Sequence, residues 1–228
     1  MIGMQGRYLQ GISANGLKII AMIAMAIDHM GLILFENNEI MRIIGRLAFP
    51  IYAFFIAEGC RYTKDKSKYF LRVLLIGLVC QVVAWIYQKN APLNILLTFS
   101  VSIALTYLLN EAKKSARCKF YFAAAVIVFY IVSEFLLSIN INFDYGFWGA
   151  MLPVIISFSD KKEERLILAL FGLCIVSLSI KGIQWYSLIS MCLLMMYNGQ
   201  KGVLNIKFLF YAFYPAHLLI IYLIGVFV

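Results

Sequence analysis

Two histidines stand in this chain of 228 residues, and both lie in long apolar runs. His29 follows Asp28 inside the run 17–35, and His217 falls near the middle of the last run. Near neutral pH a histidine can take a proton from an amine or a hydroxyl, or carry an acyl group itself. Burying an aspartate at mid-membrane costs at least about 2.5 kcal/mol, so an ionisable pair there marks a functional site by default. Lys18 lies eleven residues before His29. Eleven steps of about 100° make roughly three full turns, which places both on one helix face, about 16 Å apart along the axis. A cation at the mouth and an imidazole at depth suit a ligand with an anionic head and a reactive group on a long arm. Acyl-coenzyme A is such a ligand. His29 is the expected base or acyl carrier, Asp28 its expected orienter, and Lys18 the expected contact for coenzyme A phosphate.

Other polar residues in the runs define a candidate cavity. Arg46 is expected toward the outer half of the second run, where it can pair with Asp28 or hold substrate. Asp28 can orient His29 only across a bend, being about 100° away on the helix, and facing Arg46 is the other option. His217 follows Pro215 by two residues and can meet His29 if the first and last helices are neighbours. Asp144 is placed to bind an acceptor at the outer face, or to cap a helix. Glu58 is read as an interfacial partner of Arg61 or Lys64. Gln81, Asn94, Thr98 and Ser100 read as interhelical hydrogen-bonding glue.

The elements that carry these residues are membrane spans. The chain is 63% hydrophobic and only 14% charged, where soluble domains run near one quarter. Mean hydropathy is +0.87. The runs are continuously apolar, which excludes the alternation of a β-barrel. The expected fold is all-α, a polytopic helical bundle forming one domain over 1–228. About nine spans are expected, near 17–36, 44–62, 69–88, 93–109, 119–138, 146–159, 166–180, 183–198 and 208–228. Residues 1–16 do not read as a cleavable signal, because the next run is too long and has no A-x-A site. Pro50 is a possible kink in the second span. With the N-terminus cytoplasmic, all 20 basic residues except Arg42, Arg46, Lys89 and Lys181 fall on the cytoplasmic side. The net charge of +9 is thereby assigned to topology rather than to nucleic acid. The five cysteines show no C-x-x-C spacing and are read as reduced.

Four stretches carry a family resemblance. LKIIAMIAMAIDHMG, IGRLAFPIYAFFIAEGCRYTKD, NILLTFS and DYGFWGAMLP resemble, in order, the TraX family, and the likeness covers essentially the whole chain. That family is named for N-terminal acetylation of F-type pilin. It is similar to the transmembrane acyltransferases, which include the acyltransferase-3 proteins and heparan-α-glucosaminide N-acetyltransferase. Acyltransferase-3 proteins carry an arginine, ten residues and a histidine on the first helix. Lys18 and His29 match that spacing, with lysine replacing arginine. The resemblance implies acetyl-CoA as donor, a cytoplasmic coenzyme A site, and an acceptor across the membrane, but it does not give the acceptor; a peptide or glycan is expected, and the expected location is the inner, cytoplasmic membrane. Two other readings compete: a proton-coupled transporter using Asp28, Arg46 and His29 as a relay, and a haem protein ligated by His29 and His217.

Overall fold

The computed structural model describes residues 11–87, 91–203 and 207–227. Arg7 and Lys89, both counted in the charge alternation, lie outside them, as does most of the tail 1–16. Ten α-helices and one 3₁₀ helix make up the described chain: α1 (Ala14–Ile33), α2 (Glu39–Gly45), α3 (Ala48–Tyr62), α4 (Lys66–Tyr87), α5 (Ile95–Ala112), α6 (Ala116–Ser138), α7 (Gly146–Ile156), α8 (Lys162–Ile180), the 3₁₀ helix Gly182–Ile189, α9 (Ser190–Met195) and α10 (Lys207–Phe227). The described residues include no β-strand, only isolated bridges at Ile12–Tyr197 and Leu93–Phe143. Among the described residues, five helical units are long and apolar enough to cross a membrane: α1, the α2–α3 unit, α4, α5 and α6. The protein is a multi-pass helical membrane protein.

The sequence pattern explains where these units start and stop. Ser13 caps α1, its side chain accepting from the Gly16 amide. Asn38 caps α2 and Asn94 caps α5 in the same way. The expected second span is interrupted at Arg46 and Leu47. Pro50 is not the cause. It sits in the first turn of α3, where its missing amide has no helical partner to lose. The expected eighth span opens as a 3₁₀ helix. A rise of about 2 Å per residue lets this short segment cover more depth than an α-helix of equal length.

α3 is the hub. It packs against α1, α5, α7, α8, the 3₁₀ helix and α9. Leu17 on α1, Ile51 and Phe54 on α3, Phe99 and Ile103 on α5, and Leu173 on α8 are fully buried around it. α10 closes the bundle against α1 and α4. α6 packs mainly against its neighbours α5 and α7, and nearly all of its apolar surface faces outward.

The loops fall into two sets. Arg61 donates to the Asp160 carbonyl, Lys66 meets Glu111, Lys113 donates to the Ser157 carbonyl, and Lys162 donates to the Tyr197 carbonyl. The Ile12 amide donates to the Met196 carbonyl at 2.8 Å. These bonds join residues 12–15, 61–66, 111–114, 157–162 and 196–201 at one end of the bundle. Arg42, Arg46, Tyr145 and Gln184 meet at the other end. The described basic loops therefore collect at one end, as the alternation requires.

Candidate functional site

The fold brings the two histidines together. α1 packs on α10, and Nδ1 of His29 lies 2.9 Å from Nε2 of His217. Nδ1 of His217 lies 2.8 Å from the Phe213 carbonyl. A carbonyl only accepts, so Nδ1 of His217 carries a proton. In the neutral ring, Nε2 of His217 is then the acceptor and Nδ1–H of His29 the donor. Nε2 of His29 is left with the lone pair, the form a general base needs. Phe213 stacks on the His217 ring at 4.7 Å and helps fix its plane. The direct bond between the two rings leaves no space for a haem iron between these nitrogens.

Asp28 takes the second of its two options. One carboxylate oxygen accepts from Arg42 Nη1 at 2.6 Å and the other from Arg46 Nη2 at 2.8 Å. It pairs with two arginines and does not orient His29; His217 occupies that position. Arg46 also donates to the Tyr145 hydroxyl at 3.2 Å, to the Arg42 carbonyl at 3.1 Å and to Gln184 Oε1 at 3.5 Å. The Arg46 and Asp28 side chains are only 11% and 14% exposed. Tyr145 holds a left-handed backbone at φ 61° and stacks on Phe49 with ring centres 3.8 Å apart. Its ring points inward, between Phe49 and Arg46. Asp144 stands beside this cluster but does not cap α7. Burial pushes its carboxyl up to about 6, with Arg46 pulling the other way.

The cluster depends on Gly45. A Cβ built there would lie 2.1 Å from Asp28 Oδ1. Gly45→Ala is expected to push α2 off α1 and lower stability by about 1–3 kcal/mol. Thermal melting in detergent measures this, and an unchanged midpoint would show that α1 and α2 can separate freely.

A cavity of about 750 Å³ opens at the basic end between α1, α3, α4, α5 and α10. Lys18, Lys68, Arg72 and Lys201 line it alongside Glu58 and Asp65. Lys18 Nζ sits over the rings of Phe55 and Phe210, at 4.9 and 5.6 Å from their centres. Asn15 donates its amide to the Lys201 carbonyl, which holds Lys201 beside the start of α1. Met25 and Tyr214 also line the cavity. Met25 is one turn before His29, and the Tyr214 ring meets His217 at 5.4 Å. The histidines themselves lie behind this wall.

The remaining expectations divide. Glu58 pairs with Arg165 on α8, not with Arg61 or Lys64. Gln81 and Asn94 bond each other and Thr98 donates to the Asp144 carbonyl, so these three join separate elements, whereas Ser100 donates to the Leu96 carbonyl within its own helix. All five cysteines are free. No group of three metal-ligating side chains occurs among the described residues.

A polytopic helical bundle with a paired histidine centre and a basic-mouthed cavity is the class this geometry defines. The sequence pattern described as TraX protein matches residues 13–225, and the chain belongs to the TraX family. It is similar to the probable fimbrial assembly protein FimC, serogroup H1, of Dichelobacter nodosus, with 25% identity over 90% of this chain and 93% of that one. It is also similar to an uncharacterized protein of Rickettsia prowazekii (strain Madrid E), with 33% identity over 57% of this chain and 49% of that one. No solved structure matches.

Proposed function

We propose that this chain is an integral membrane acyltransferase, related to the acyltransferase-3 proteins, that moves an acetyl group from acetyl-CoA to an amine or hydroxyl acceptor. The supporting observation is the cavity, with four basic side chains among its lining residues and a deep wall one turn from the His29–His217 pair. An acyl-CoA has its phosphates at one end and its thioester at the other, and the cavity has the matching polarity. The reading includes about nine crossings of the inner membrane, with the N-terminus and the basic end cytoplasmic. The fimbrial assembly name of the Dichelobacter relative favours a pilin N-terminus as acceptor.

The chemistry follows from the tautomers. The acceptor nitrogen or oxygen attacks the thioester carbonyl while Nε2 of His29 removes its proton. The carbon–sulfur bond breaks, and His29 returns the proton to the departing coenzyme A sulfur. His217 positions His29 through the ring-to-ring bond and spreads the charge while His29 is protonated. Lys18, Lys68 and Lys201 hold the donor's phosphates.

The test is acetyl-CoA binding and slow thiol release by the purified full chain. Release that needs His29 supports the reading. Failure to bind or turn over acetyl-CoA with amine, sugar or peptide acceptors would reject it. Substrate uptake into sealed vesicles driven by a pH gradient would then favour transport.

A further inference from the structure

A second pocket, of about 390 Å³, opens at the basic end between the ends of α3, α5 and α7 and the starts of α4 and α8. It shares Thr63 with the large cavity and lies on the other side of the α3–α4 turn. Five cations line it: Arg61, Lys66, Lys113, Lys114 and Arg165. The carboxylates that meet them are Asp160, Glu111 and Glu58. Lys66 and Lys114 share the single Glu111, and Lys113 holds only the Ser157 carbonyl. Two positive charges are therefore left without a carboxylate.

The pocket also contains polar groups that the protein does not satisfy. Arg165 is 3% exposed, yet its Nη2 has no hydrogen-bond partner. Thr106 is 1% exposed, and its Oγ1 is also unbonded. Buried donors of this kind are costly unless something meets them. The missing group must accept hydrogen bonds, carry about two negative charges, and be small enough to enter between loops. A phosphate group carries about −1.5 to −2 and offers three acceptor oxygens.

We propose that this pocket binds a phosphate group, with Arg165 and Thr106 at its floor and Lys113 and Lys114 at its rim. The site is separate from the proposed donor cavity and does not depend on the acyltransferase reading. Its phosphate can come from solution or from a lipid headgroup, since the basic end lies where headgroups would be.

The test is thermal melting of the full chain in an uncharged detergent. Inorganic phosphate is compared with chloride at equal ionic strength, and phosphatidic acid is added to the same micelles as a second probe. The wild type is expected to be stabilised by at least one probe. Stabilisation by inorganic phosphate assigns a soluble source, and stabilisation by phosphatidic acid alone assigns a headgroup. In the Lys113→Gln/Lys114→Gln variant, whose changes are both exposed, the affinity should fall at least tenfold. Lys181→Gln, exposed at the far end of α8 and in neither cavity, should retain wild-type affinity. No shift with either probe, an equal shift in the double variant, or loss on Lys181→Gln would overturn the site.

Discussion

His29→Ala is expected to lower acetyl transfer by about 10²–10⁴-fold, the usual contribution of a positioned general base. His217→Ala should cost less, about tenfold or more. It leaves Nδ1–H of His29 without its acceptor but does not remove the base. The two losses should not add. Once His29 is gone, His217 has nothing to position, so the double variant should be as slow as His29→Ala alone. The pH profile separates positioning from folding. His217→Ala should move the acid limb of the rate, where His29 becomes protonated, because a protonated His29 no longer shares its charge with a second ring, whereas a folding defect would scale the rate at every pH. Additive losses, or an unchanged profile with a lower rate, would remove His217 from the mechanism. Rates in both single variants equal to wild type would remove the histidine pair altogether.

What could be read from the sequence was whatever lies along one helix. The spacing of Lys18 and His29 needs only the helical repeat, and both do face inward, one toward the large cavity and the other toward α10. The alternation of basic loops needs only a count of runs, and the bonds among those loops agree with it. Contacts between distant segments were beyond that kind of reasoning. The sequence allowed His217 to reach His29 but held nothing to choose between neighbouring and separated end helices. Arg42 looked like a loop residue because it falls before the expected second span. The hairpin turn at Glu36 and Asn37, both at positive φ, folds it back onto Asp28. Glu58 was assigned to its sequence neighbours, whereas the packing of α3 on α8 supplies Arg165. Tyr145 was hidden by its surroundings: a tyrosine three residues before a tryptophan, at the start of an apolar run, reads as a membrane-interface residue. The one available signal was Gly149, which leaves room for Tyr145 to fold over the start of α7; a Cβ there would lie 2.3 Å from the Tyr145 Cβ.

Asp28→Asn is expected to be the most destabilising single change in the Asp28–Arg42–Arg46 cluster, by about 3–5 kcal/mol. The reason is the number of charges it strands. Asp28 is the carboxylate bonded to both Arg42 and Arg46, and asparagine keeps the shape while leaving two guanidinium groups in a poorly solvated site without a directly bonded anion. The arginine variants should be milder and should differ from each other. Arg42→Ala leaves Asp28 bonded to Arg46. Arg46→Ala leaves it bonded to Arg42, but also releases the Tyr145 hydroxyl and the Gln184 side chain, so it should cost more. Arg42 is therefore the weaker of the two partners. An Asp28→Asn/Arg42→Ala pair gives the sharper test. Removing one stranded cation should recover part of the loss, so the double variant should melt above Asp28→Asn alone. This ordering follows from charge balance and not from packing, because asparagine has the volume of aspartate. If Asp28→Asn melted with the wild type, water or another anion would have to be compensating both arginines. That end of the bundle would then be an open polar site and not a closed ion cluster.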